Sequence, residues 1–182
     1  MAQPEIFSPK TDLLKHRIVY LDEEIDYFPA SEIMASLELL ASQSNEKISM
    51  LITSPGGDLY PALGIYDTMK SIGKRGIEIH AEARGIAASA AVIVLQGATT
   101  RTMTSNSTLI IHEPSMDAGS IQSTNAEDNT KELVRLSKLC MDIMASGSKA
   151  ASKKLRELCE RRPYVWLDAK QSLDLDLVDL IV

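Results

Sequence analysis

Apolar positions along this chain follow two rhythms, and the switches between them divide it into elements. Residues 17–21, RIVYL, are short and β-branched, which predicts a strand. Residues 30–45, ASEIMASLELLASQSN, place Ile33, Leu37 and Leu40 at helical spacing. Residues 48–54, ISMLITS, are an apolar run too short for a helix and stopped by Pro55-Gly56-Gly57. Leu59, Leu63, Tyr66, Met69 and Ile72 then share one face of a predicted helix, with Gly73 and Gly76 bracketing the turn after it. Residues 77–83, IEIHAEA, alternate as a strand. Residues 88–98, ASAAVIVLQGA, read as a buried helix, and residues 108–114, TLIIHEP, as a further strand. Strands alternating with helices predict βαβ units, a mostly parallel sheet and right-handed crossovers.

The texture changes after Pro114. Residues 115–129, SMDAGSIQSTNAEDN, are polar and loop-like. A long amphipathic helix is predicted next, with Leu133, Leu136, Leu139 or Cys140, and Ile143 in register. A second, charge-rich helix follows over residues 149–162. The long helix reads either as an arm used in assembly or as a simple covering helix. No internal repeat interrupts this order, so one domain with an appended helical element is expected.

Composition narrows the class. With 182 residues the chain can bury a full core, and with aromatics at 4% that core must be aliphatic and small. A net charge of −6 without any basic block argues against nucleic acid or an anionic membrane as partner. No apolar run reaches the ~20 residues a membrane span needs. The first residues show no signal-peptide pattern, so a cytoplasmic protein is expected. Cys140 and Cys159 read as reduced, buried or half-buried thiols. Neither they nor the three histidines cluster at metal-ligand spacing, and neither a structural metal nor a cofactor is expected.

Three features fall at predicted strand ends, where open α/β sheets usually carry ligands. One is the turn Ser54-Pro55-Gly56-Gly57, whose glycines let backbone N–H groups approach a ligand without a Cβ in the way. Another is Ser89, the one hydroxyl in the run GIAASAAVIV and placed at a helix start. It reads either as a small residue standing in for alanine or as a nucleophile with cleared space around it. The third is His112, at the end of TLIIH. Serine needs a base to take its proton, and histidine is the usual one. His16 lies in the N-terminal segment and His80 inside a strand, which leaves His112 as the candidate base.

The stretches SPGGDLYPALGIYDTM, GIAASAA and NSTLIIHEP, in that order, resemble the proteolytic subunit of the Clp protease (ClpP), a family of serine peptidases with the crotonase-like fold. The likeness runs from about residue 17 to the C-terminal LVDLIV. It implies an α/β fold of repeated β-β-α units with a mostly parallel sheet and a projecting helical handle, here residues 115–146. It implies Ser89 as nucleophile, His112 as general base, and the N–H groups of Gly57 and Ala90 as oxyanion hole. It further implies peptide or unfolded-protein substrates and a homo-oligomer of heptameric rings, two of them stacked around a chamber.

Three departures from the family bear on these expectations. In the family the third triad member is an aspartate shortly before an aromatic–aliphatic–Ser/Thr–Ala stretch. Matching Trp166-Leu167-Asp168-Ala169 to that stretch puts Tyr164 in its place, and sliding the gap puts Arg162 there; neither is an acid. Tyr164, a backbone carbonyl, or a displaced Asp168 or Glu160 are the groups left to orient His112. About sixteen residues, 1–16, precede RIVYL, which argues against axial loops and against docking to an AAA+ Clp ATPase. The handle also lacks the family's glycine-rich stretch. Because nucleophile, base and oxyanion glycines all remain, an active peptidase is still expected, against a weak or inactive ring subunit. A crotonase-type acyl-CoA enzyme would need an acid pair in residues 85–112, and a Ser/Lys dyad a lysine closer than Lys74 or Lys131.

Overall fold

A computed structural model describes residues 9–115, 126–146 and 149–182. Helix α1 (Pro9–Lys15) leads into strand β1 (Ile18–Leu21), helix α2 (Tyr27–Gln43), strand β2 (Ile48–Ser54) and helix α3 (Leu59–Lys74). Strand β3 (Ile79–Ala88), helix α4 (Ala90–Gln96), and strands β4 (Thr100–Met103) and β5 (Thr108–His112) follow. Helices α5 (Ala126–Met144) and α6 (Lys149–Arg161), strand β6 (Tyr164–Leu167), helix α7 (Ala169–Asp174) and strand β7 (Leu180–Ile181) complete the order. The expected loop of residues 115–129 is already helical from Ala126, and residues 116–125 lie outside the described residues. So do residues 1–8, the first half of the N-terminal segment on which the axial-loop expectation rests.

The sheet runs β1-β2-β3-β4-β7, all parallel, with β5 added to β3 and β6 antiparallel to β5. The α/β, mostly parallel expectation therefore holds. Helix α2 buries Ala30, Ile33, Leu37 and Leu40, the face its spacing predicts. Leu37 is fully enclosed, and at such a site Leu→Ala costs about 2–5 kcal/mol. Helix α3 is rotated from its predicted face. It buries Ala62, Ile65, Met69 and Ile72, while Leu59, Leu63 and Tyr66 flank the core half-buried. It must satisfy the sheet, α2 and α4 together, so its apolar arc is wider than one stripe.

Strand β3 corrects two expected boundaries. It extends to Ala88 instead of ending at residue 83, and α4 starts at Ala90 instead of residue 88. Between the pairs Ile52↔Ala83 and Ser54↔Ala87, β2 advances two residues while β3 advances four. The surplus falls at Arg84-Gly85, where Gly85 takes φ +68°. Such a bulge bends a strand and increases its twist. Before it β3 pairs with β4; after it Ile86–Ala88 pair with β5. One strand thus carries two neighbours in succession, and its second half delivers Ser89 to the end of β5.

Candidate functional site

The SPGG turn is held from below. Ser54, wholly buried, donates its hydroxyl to the Glu23 carbonyl at 2.6 Å and accepts the Gly56 N–H at 3.1 Å. Ile25 then clamps the turn: its N–H donates to Gly56 O and its carbonyl accepts the Asp58 N–H, both at 2.7 Å. In a parallel bridge of this kind the residue between the two bonded ones turns its own N–H away from the clamp. That residue is Gly57. A Cβ on Gly57 would stand 2.2 Å from the Ile25 carbonyl oxygen, and φ is +142° there, so this position requires glycine.

Ser89 occupies the junction between β3 and α4. Its N–H still bonds along the sheet, to Ile110 O at 2.7 Å. Its backbone then turns to φ +54°, ψ −122°, unfavourable for a residue with a Cβ. Such conformations cost about 1–3 kcal/mol and persist where surrounding structure enforces them. Here the ladder on one side and the helix on the other enforce it. The first N–H groups of α4, Ala90's among them, have no carbonyl a turn earlier in their own helix to bond.

Gly57, Ser89, Ala90 and His112 line one cleft of about 120 Å³. Its apolar wall is Leu59, Ile93, Ile111, Cys140 and Met144. Cys140 and Met144 come from α5, which with Leu136 forms an i, i+4, i+8 stripe, one position off the predicted register at its C-terminal end. Burial pushes the Cys140 thiol up to about 11. Burial and the Glu113 carboxylate raise the Cys159 thiol as well. Both thiols are free, as expected.

Four of the expected site residues therefore meet, although Ser89 Oγ and the His112 ring make no direct hydrogen bond. His112 Nδ1 instead lies 2.8 Å from the carbonyl oxygen of Glu113. Of the groups considered for orienting His112, Tyr164 faces it across the β5–β6 pair, ring centroids 5.2 Å apart and tilted by 41°. Asp168 is turned elsewhere: it caps α7, accepting the Gln171 N–H at 2.8 Å in a reciprocal capping box. It also follows Leu167, which pairs with Leu109 at the other end of β5. Glu160 and Arg162 line a neighbouring cavity that His112 also lines, without a hydrogen bond to its ring. Sequence reasoning had Gly56 only as part of the SPGG turn, and a backbone carbonyl for His112 without a residue attached to it. The first was visible as half of a glycine pair; a main-chain acceptor leaves no mark on sequence.

A family model described as Clp protease matches residues 2–182. The chain belongs to the Clp protease family. It is 32% identical over 179 residues to the ATP-dependent Clp protease proteolytic subunit 4 of Streptomyces avermitilis, covering 97% of this chain and 77% of that one. It is 31% identical over 185 residues to the ATP-dependent Clp protease proteolytic subunit of Porphyromonas gingivalis, covering 100% and 79%. The fold matches ClpP1 from Listeria monocytogenes, solved as an asparagine-to-aspartate mutant, with a TM-score of 0.82. That match covers 95% of both chains at 23% sequence identity. The Clp-family expectation thus stands, and with it the reading of the chain as a ClpP-like peptidase. Among the described residues no group of three or more His, Cys, Asp or Glu is placed to hold a metal, and no helix is long and apolar enough to cross a membrane.

Proposed function

We propose that this Clp-family chain is an active serine endopeptidase working through Ser89 and His112. One observation carries the reading: a strained serine, a histidine and two backbone donor positions line a single cleft. Ser89 Oγ attacks the scissile carbonyl carbon while His112 Nε2 takes its proton. The carbonyl π pair moves onto oxygen, where the N–H groups of Gly57 and Ala90 receive it. Removing one such donor costs about 10²–10³ in rate in well-studied hydrolases. When the carbonyl reforms, the C–N bond breaks and His112 returns the proton to the departing amine. Water, deprotonated by the same imidazole, then releases the acyl group from Ser89. The apolar wall fits an uncharged side chain beside the bond cut. The same reading takes α5 as the handle, homo-oligomeric heptameric rings as the working form, and peptides or unfolded chains in the cytoplasm as substrates.

A fluorophosphonate probe tests the reading. It should label wild-type protein and leave Ser89→Ala and His112→Ala unlabelled. A second reading, a weak or inactive ring subunit, is favoured by the missing Ser89–His112 hydrogen bond and by the absence of a carboxylate bonded to His112 among the described residues. Catalytic hydrogen bonds often tighten only with substrate, which favours the first reading. Assembled wild-type protein that takes no probe at any pH would establish the second. Native mass measurement should give multiples of seven subunits, and a stable monomer would remove the ring assignment.

A further inference from the structure

We infer that the orienting group for His112 in this chain is the main-chain carbonyl of Glu113, with Tyr164 as a second positioning residue against the ring. A carbonyl oxygen only accepts hydrogen bonds, so the 2.8 Å contact to Nδ1 requires the proton on Nδ1. The neutral ring then leaves Nε2 as its lone-pair nitrogen, which is the tautomer a base for Ser89 needs. Sequence narrows the directions open to that carbonyl. Glu113 precedes Pro114, and the helical region is disfavoured for a residue before proline, which restricts ψ and with it the carbonyl. The amide has no N–H on its proline side, so the carbonyl is its one hydrogen-bonding group.

Tyr164 supplies the second constraint. It stands opposite His112 in the antiparallel β5–β6 register, and its ring leans on the imidazole at 5.2 Å. With 57% of its surface exposed, Tyr164 is not held there as core. Its phenolic oxygen makes no hydrogen bond to His112, so the ring and not the hydroxyl does the positioning. A carbonyl dipole carries less charge than a carboxylate, so it stabilises the imidazolium less; what it secures is orientation. The acids that flank Tyr164 in sequence do not take over this role: Asp168 is bonded into its helix cap, and Glu160 makes no bond to the ring.

The kinetic part of this inference rests on the peptidase reading, whereas the tautomer does not. Magic-angle-spinning NMR of sedimented protein carrying ¹⁵N-labelled histidine rings, with His112 assigned through His16→Gln and His80→Gln, reads the tautomer directly. The neutral His112 ring should carry its proton on Nδ1; a proton on Nε2 overturns the inference even if Ser89 reacts with the probe. Probe-labelling rates of Tyr164→Ala, Tyr164→Phe, Pro114→Ala and Glu160→Gln give the second readout. Misplacing the ring should slow Tyr164→Ala and Pro114→Ala about ten- to a hundredfold. Tyr164→Phe should recover most of the alanine loss, and Glu160→Gln should label at the wild-type rate. If Tyr164→Phe is as slow as Tyr164→Ala, the hydroxyl is the orienting group; if Glu160→Gln slows labelling, a carboxylate is. Either result overturns the assignment. A Nδ1-protonated ring in protein that never labels would instead defeat the peptidase reading and leave the carbonyl anchor standing.

Discussion

A Cβ added to Gly56 would stand 2.8 Å from the Cβ of Ser89 and 2.5 Å from the Ala88 carbonyl oxygen. The two residues belong to turns that touch because Gly56 brings no side chain to the place where the Ser89 Cβ and the Ala88 carbonyl already stand. Gly56→Ala must therefore push the β3–α4 junction away, and at φ +93° the alanine is strained as well. The variant should lose about 1–3 kcal/mol of stability and most of its serine-probe labelling. Urea unfolding with labelling of the folded fraction checks both. Full labelling would mean that the junction does not need this approach.

Ser89 itself is predicted to trade stability for its position. Its φ of +54° is easy for glycine alone. Ser89→Gly should be more stable than Ser89→Ala by roughly 1 kcal/mol, with neither variant taking the probe. A difference scan of melting temperatures decides it. If Ser89→Ala is the more stable, the strain is not present in the folded protein.

The pH dependence of the α5 attachment follows from one carboxylate. Glu132 accepts hydrogen bonds from Arg135 on its own helix and, at 2.5 Å, from Tyr60 on α3. Arg135 first and Tyr60 second lower its pKa from 4.5 to about 2. A lowered folded-state pKa stabilises the folded form above the unfolded value, and that contribution disappears as pH falls through the folded one. The attachment should thus be complete above about pH 4.5 and fade toward about pH 2. Carboxyl NMR of Glu132 and hydrogen exchange in α5 would follow it. An ordinary titration midpoint would show that the contact is not kept in solution.

Thiol reactivity checks the wall of the cleft. Burial keeps the Cys140 thiol protonated well past neutral pH, and only the thiolate is nucleophilic. Iodoacetamide at pH 8 should modify native Cys140 far more slowly than the same cysteine in urea, as read by peptide mass spectrometry. Equal rates would mean that α5 does not cover the cleft.

Much was legible in the chain alone, for local reasons. The α2 stripe at Ile33, Leu37 and Leu40 held because a helix with one sheet-facing side obeys its own period. The SPGG turn and His112 at a strand end were visible because glycine freedom and an apolar run that ends are local properties. Other features depended on distant partners. The sequence pattern ends the strand at residue 83 and starts the helix at Ala88, but a ladder from Ile86–Ala88 to Thr108–Ile110 carries the strand on to Ala88. The α3 face rotated because three neighbours compete for it. The short strands β4, β6 and β7 were missed, since four or two residues of mixed pattern become strands only beside a partner edge.

The sequence by itself determined the fold class, the family and the residue types that converge on one cleft. The tertiary structure alone decided how Ser89 is bent, why Gly56 and Gly57 must be glycine, and which group faces the histidine ring. Those are properties of backbone direction and of contacts between residues far apart in the chain. A carbonyl belongs to every residue, so nothing but its orientation in space can single out that of Glu113.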